Sequence, residues 1–106
     1  MKQSQYRSQT EADYAQRLDL LKAAHEILSW EYEPDVLTLA YRCTYCPDFR
    51  VKLKDGTVEF HEVKGWTRDD AMIKLKVAAQ MFQNTCFYLV KKDKRLGWKI
   101  KLVKTL

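Results

Sequence analysis

Three residues in the middle of the chain have the types and spacing that phosphate chemistry needs. Asp48 directly follows Pro47, and Glu62 and Lys64 lie two apart. Val58 to Trp66 alternates like a strand, so Glu62 and Lys64 point to the same face. Whether Asp48 joins them depends on the intervening hairpin. A two-residue turn at Asp55-Gly56 pairs Lys54 with Thr57 and sets Asp48 opposite Val63, facing away from Glu62. A three-residue loop over Lys54-Asp55-Gly56, with Gly56 left-handed, pairs Leu53 with Thr57 and brings Asp48 opposite Glu62. That loop type requires glycine at its third position, where this sequence has one, and the three-residue loop is therefore predicted.

Placed so, the two carboxylates repel. At ~4 Å and an effective dielectric of ~20 the cost is on the order of 4 kcal/mol. A shared proton, a basic neighbour or a cation must offset it, and Lys64 supplies one positive charge. A hard divalent ion takes this ligand type, one or two carboxylates completed by water and substrate phosphate. Mg²⁺ or Mn²⁺ held there activates water and stabilises charge on the phosphate, while the lysine orients the water or supports the transition state. Glu11 is a fourth candidate. It shares a helical face with Ala15 and Leu18, at the end of an apolar stripe where an acid is out of place unless it meets something positive.

The elements that must hold these groups follow from hydrophobic periodicity. Ser8 and Glu11 have capping-box spacing and start a helix, and that box by itself also accounts for a glutamate at position 11. Tyr14, Leu18, Leu21, His25 and Leu28 recur at fours and threes along one face of this helix. Pro34 ends any helical reading of Trp30 to Glu33. Val36 to Tyr41 reads as a strand, and Tyr45 to Leu53 alternates Phe49, Val51 and Leu53 against Asp48, Arg50 and Lys52. After Val58 to Trp66, Thr67 and Asp70 are spaced as a second capping box. Ala71, Leu75, Ala78, Ala79 and Phe82 form the stripe of a second helix. Cys86 to Val90 is a short buried strand, and Trp98, Ile100 and Leu102 mark a last, half-exposed one. The order α-β-β-β-α-β-β predicts an α/β fold, a mixed sheet with helices packed on it.

Length and charge narrow the setting. One domain over residues 1–106 is expected, with 1–7 as a loose basic arm. Nineteen Lys and Arg against 14 Asp and Glu give a net charge of +5, which favours a polyanionic partner. No apolar run is long enough to span a bilayer, and the polar start Met1-Lys2-Gln3-Ser4-Gln5 is no signal peptide. Three cysteines, an odd number, suit free thiols in the cytoplasm. No membrane partner and no small-molecule cofactor are expected.

Pro47-Asp48, thirteen intervening residues, then Glu62-Val63-Lys64, preceded by a helix carrying Glu11, resembles the PD-(D/E)XK nuclease superfamily. Thr10-Glu11-Ala12-Asp13-Tyr14, Pro47-Asp48-Phe49 and Glu62-Val63-Lys64-Gly65-Trp66 are similar to small phage-type members related to Holliday junction resolvases and transposon end-cleaving nucleases. The resemblance runs from about Ser8 to Val90. It implies a restriction-endonuclease-like αβββαβ core, here with one further strand, and metal-dependent hydrolysis of DNA, duplex or branched, in a bacterium or phage-infected host. It also implies that Asp48, Glu62 and the backbone carbonyl of Val63 hold the metal. Lys64 then positions or activates the attacking water, and Glu11 assists as a metal or water ligand. A homodimer would let one small chain address both strands.

Several features carry plainer alternatives. A Glu-x-Lys on a strand is often a solvated ion pair worth ~1 kcal/mol or less. Cys43-x-x-Cys46 lacks partner ligands at zinc spacing and is read as packing. His61 is expected to face away from Glu62, and His25 to be a satisfied buried histidine. From Lys91 to Lys104 there are seven basic residues and one acid, either a lysine-guarded sheet edge or a phosphate-tracking surface. In the second case Lys91, Lys92, Lys94 and Arg95 contact DNA together with Lys2, Arg7, Lys74 and Lys76. Tyr6, Trp66 and Trp98 could stack on bases, though aromatics of this size usually belong to the core. Two rival functions follow, a nucleic-acid-binding module without turnover and a phage protein-interaction factor.

Overall fold

The computed structural model describes residues 5–64 and 69–105. Helix α1 (Gln9–Ala23) is followed by strands β1 (Ile27–Tyr32), β2 (Leu37–Ala40), β3 (Cys43–Tyr45), β4 (Phe49–Leu53) and β5 (Val58–Lys64). Helix α2 (Asp69–Met81), β6 (Cys86–Asp93) and β7 (Gly97–Leu102) complete the order. The fold is α/β: a five-stranded mixed sheet in the order β1-β4-β5-β6-β7, two helices, and a separate β2–β3 hairpin. Among the described residues no helix is long and apolar enough to cross a membrane.

Ser8 caps α1 as its spacing requires, its hydroxyl accepting from the Glu11 N–H at 3.1 Å. The helix stops earlier than the apolar spacing predicts. His25 takes a left-handed φ of 60°, the Glu26 N–H reaches the Leu21 carbonyl and the His25 N–H reaches that of Lys22. This is a Schellman closure with histidine where glycine is usual. His25 is thus exposed in a turn and not buried on the helix stripe, and Leu28 is an exposed residue of β1. Strand β1 is absent from the predicted order because the 3.6-residue spacing runs through it unbroken.

A second correction concerns the strand expected over Tyr45 to Leu53. It is two strands, β3 and β4, split at Pro47, which has no N–H to give to a ladder. The register of the next hairpin is as predicted. Phe49 pairs with His61 and Lys52 with Val58. The Leu53 N–H donates to the Thr57 carbonyl at 2.8 Å, and Gly56 closes the three-residue loop with φ +90°. The expected helix cap at Thr67 lies outside the described residues.

Residues of β5 alternate between two buried layers. Val63 packs with Tyr14, Leu18, Phe49, Val51 and Val90 beneath α1. Phe60 packs with Tyr45, Leu75, Ala78 and Phe87 beneath α2 and the hairpin. Each fully buried Leu, Val or Phe contributes ~1.5–3 kcal/mol, so the strand is fixed from both sides. Strand β4 runs antiparallel and β6 parallel to β5, so the start of β4 and the ends of β5 and β6 share one edge of the fold.

Candidate active site

Extending the β4–β5 ladder one residue beyond Phe49↔His61 sets Asp48 opposite Glu62. Asp48 is 7% exposed and its Oδ2 accepts from the Val63 N–H at 2.8 Å. A strand residue turns its N–H and C=O toward the same neighbour, so the Val63 carbonyl also faces the Asp48 side. Glu62 accepts from the Tyr45 hydroxyl at 2.5 Å. Lys64 follows two residues on, half-buried, on the Glu62 face.

Glu11 does more than cap its helix. Its N–H serves the Ser8 cap, but its carboxylate turns inward, 7% exposed, and accepts from the Tyr32 hydroxyl at 3.1 Å. Three carboxylates therefore gather at the end of β5. Burial pushes the Asp48 carboxyl well above its ordinary range, and the charges of Glu62 and Glu11 add to the push. Burial also raises Glu62, while the hydrogen bonds from Tyr45 and Asp48 draw it back. Among the described residues none of the three carboxylates has an ion-pair partner.

This donor set fits a hard cation. Among the described residues no three His, Cys, Asp or Glu side chains form a ready cage around one point. An ion at Asp48 and Glu62 would therefore rely on two carboxylates, the Val63 carbonyl and water or substrate oxygen, which is the habit of Mg²⁺ and Mn²⁺.

The family model for DUF1064, described as a protein of unknown function, matches residues 1–105. The chain belongs to the DUF1064 family. No curated protein and no solved structure matches it. In this DUF1064 chain the basic residues singled out by sequence scatter. Lys91, Lys94 and Arg95 are exposed in β6 and the turn after it, at the carboxylate edge of the sheet. Lys92 is on the opposite face, its Nζ 2.6 Å from Asp13 and 5.8 Å from the Trp98 ring centroid. Arg7 pairs with Glu33 at 3.1 Å. Lys74 and Lys76 lie on α2, and Lys2 and Trp66 lie outside the described residues.

Tyr6 and Trp98 are partly buried against the core, Trp98 at 5.0 Å from Tyr14 and Tyr6 at 4.7 Å from Tyr32. The three cysteines are free thiols. Sequence reasoning missed Tyr45 and Tyr32, the two hydroxyls that orient Glu62 and Glu11. Tyr32 is legible only once β1 is recognised, and Tyr45 belongs to a hairpin outside the main sheet, so no periodicity links it to Glu62.

Proposed function

We propose that the protein is a divalent-metal-dependent nuclease that hydrolyses DNA phosphodiester bonds. The observation that carries this reading is the buried Asp48 set opposite Glu62, short of positive charge. A fold that needs only stability gains nothing from that repulsion.

Asp48, Glu62 and the Val63 carbonyl would hold Mg²⁺ or Mn²⁺, which when bound supplies an activated water and neutralises phosphate charge. The Tyr45 hydroxyl fixes the Glu62 carboxylate, and the Val63 N–H fixes that of Asp48. Lys64 would bring its ammonium to the attacking water or to the charge developing on a phosphate oxygen. Glu11, tethered by Tyr32, sits beside Asp48 and assists the site. With the hairpin set aside, the order α1-β1-β4-β5-α2-β6 runs αβββαβ. This supports a restriction-endonuclease-like core and membership of the PD-(D/E)XK nucleases; branched or phage DNA as substrate and a homodimer that cuts two strands are what that resemblance implies.

The test is cleavage of plasmid, linear duplex and four-way-junction DNA in Mg²⁺ or Mn²⁺, with EDTA as control. Metal-dependent cutting abolished by EDTA is the expected result. Binding without cutting under either metal would replace this reading with a nucleic-acid-binding module. Neither binding nor cutting would leave a protein-interaction factor.

A further inference from the structure

Strand register carries an inference about how the nucleic acid of that proposed reaction lies on the protein. Lys64 of β5 pairs with Lys91 of β6, and Lys91 pairs with Lys99 of β7. Residues directly paired across a sheet point to the same face; on this face the paired Phe60 and Phe87 rings stack at 5.2 Å. Lys64, Lys91 and Lys99 therefore form one row across three adjacent strands, on the face that carries Glu62 two residues back along β5.

With strands ~4.8 Å apart the row spans roughly 10 Å. Like charges directly opposite one another destabilise a sheet, and here two such pairs are adjacent. The carboxylate beside the row, Asp93, accepts from the Arg95 and Leu96 N–H groups at 2.8 and 2.9 Å and so closes the β6–β7 turn. Its pKa is held low chiefly by those N–H groups and further by Lys99 and Lys91, so it offsets only one of three positive charges. Lys91 and Lys99 are exposed and free to meet a ligand.

We infer that the Lys64–Lys91–Lys99 row is a phosphate track that carries one nucleic-acid strand from the carboxylate pair across β6 to the β7 edge. About three stacked nucleotides, at a rise of ~3.4 Å each, cover its length. The track contacts backbone and reads no bases, so it serves any sequence. Lys92, one residue away in the chain, takes no part, because it faces α1 and is tied to Asp13.

The experiment is anisotropy of a fluorescein-labelled DNA duplex with the full chain, in EDTA so that no cutting occurs, across a NaCl series. Lys91→Ala and Lys99→Ala are each expected to lower the slope of log Kobs against log [NaCl] by about 0.9. Lys92→Ala should lower it by less than half as much. Unchanged slopes in the first two variants, or an equal effect of Lys92→Ala, would overturn the track. So would absence of DNA binding, including the case in which the protein instead adsorbs to anionic phosphatidylserine vesicles. Slopes that respond as expected in a protein that never cuts DNA would keep the track and refute the nuclease. Cutting with unresponsive slopes would do the reverse.

Discussion

The two faces of β5 treat their acids in opposite ways. On the α1 side, Glu59 meets His61 Nε2 at 2.8 Å, and His61 Nδ1 meets the Tyr14 hydroxyl at 2.5 Å. A carboxylate only accepts, so Nε2 carries a hydrogen and donates to Glu59, while Nδ1 shares the second hydrogen bond with the Tyr14 hydroxyl. Burial pushes the Tyr14 hydroxyl far above its usual range, so it keeps its proton. That chain is closed, and it pins the strand to the helix. On the other side Glu62 takes its hydrogen bonds from the Tyr45 hydroxyl and from Asp48, whose own carboxyl lies opposite it. One strand thus carries an acid joined to a histidine and an acid crowded by a second buried carboxyl. The difference supports the proposal that the Glu62 face carries the chemistry.

The comparison breaks most visibly in catalysis. Asp48→Asn and Lys64→Ala are each expected to lower kcat for DNA cleavage by on the order of 10²–10³-fold or more, measured at saturating Mg²⁺. Tyr14→Phe, on the closed face, should leave kcat within a few-fold.

Stability should move the opposite way. In metal-free protein at neutral pH Asp48→Asn removes a buried carboxyl that folding forces to stay protonated, and each unit by which its pKa is raised corresponds to ~1.4 kcal/mol. A higher Tm than wild type is therefore expected by calorimetry. Tyr14→Phe leaves the buried Nδ1 of His61 without its hydrogen-bond partner and should cost about 1–3 kcal/mol.

A pH series sharpens the same contrast. The folded-state pKa values of Asp48 and Glu62 are raised above those of the unfolded chain, so the folded state binds more protons between the two values. Stability of the metal-free protein should therefore fall as pH rises from the ordinary carboxylate range near pH ~4 toward neutral. Urea melts at several pH values check this. Added Mg²⁺ should restore more stability at pH 8 than at pH 5, because only the ionised pair binds it. Stability that rises with pH in EDTA would contradict the account.

The smallest effect is expected at Tyr45. Its hydroxyl supports the charged form of Glu62, so Tyr45→Phe should raise that pKa further and shift the acid limb of the pH–rate profile to higher pH. The rate at pH 8 should change little.

The register that joins Asp48 to Glu62 was legible because one residue type, glycine at position 56, decides between two loops. Ser8 was equally legible as a cap. Strand β1 was not, because Leu21, His25 and Leu28 keep helical spacing while the backbone reverses at His25, a residue that takes the left-handed conformation without announcing it. The closed Glu59–His61–Tyr14 chain joins residues 47 positions apart. His61 was expected to face away from Glu62, but its partners depend on how α1 docks, which no local pattern encodes. The phosphate row was hidden for a related reason. Lys91 and Lys92 look equivalent in sequence, and only the ladder sends one toward Glu62 and the other toward Asp13.

The most direct test exchanges the two acids of β5. Mn²⁺-dependent cleavage of four-way-junction DNA should be measured for wild type, Glu62→Gln and Glu59→Gln at matched folded concentrations. Cutting by wild type and Glu59→Gln, and none by Glu62→Gln, is expected. Equal cutting by all three, or loss in Glu59→Gln alone, would contradict the assignment of the Glu62 face as the metal-dependent active site.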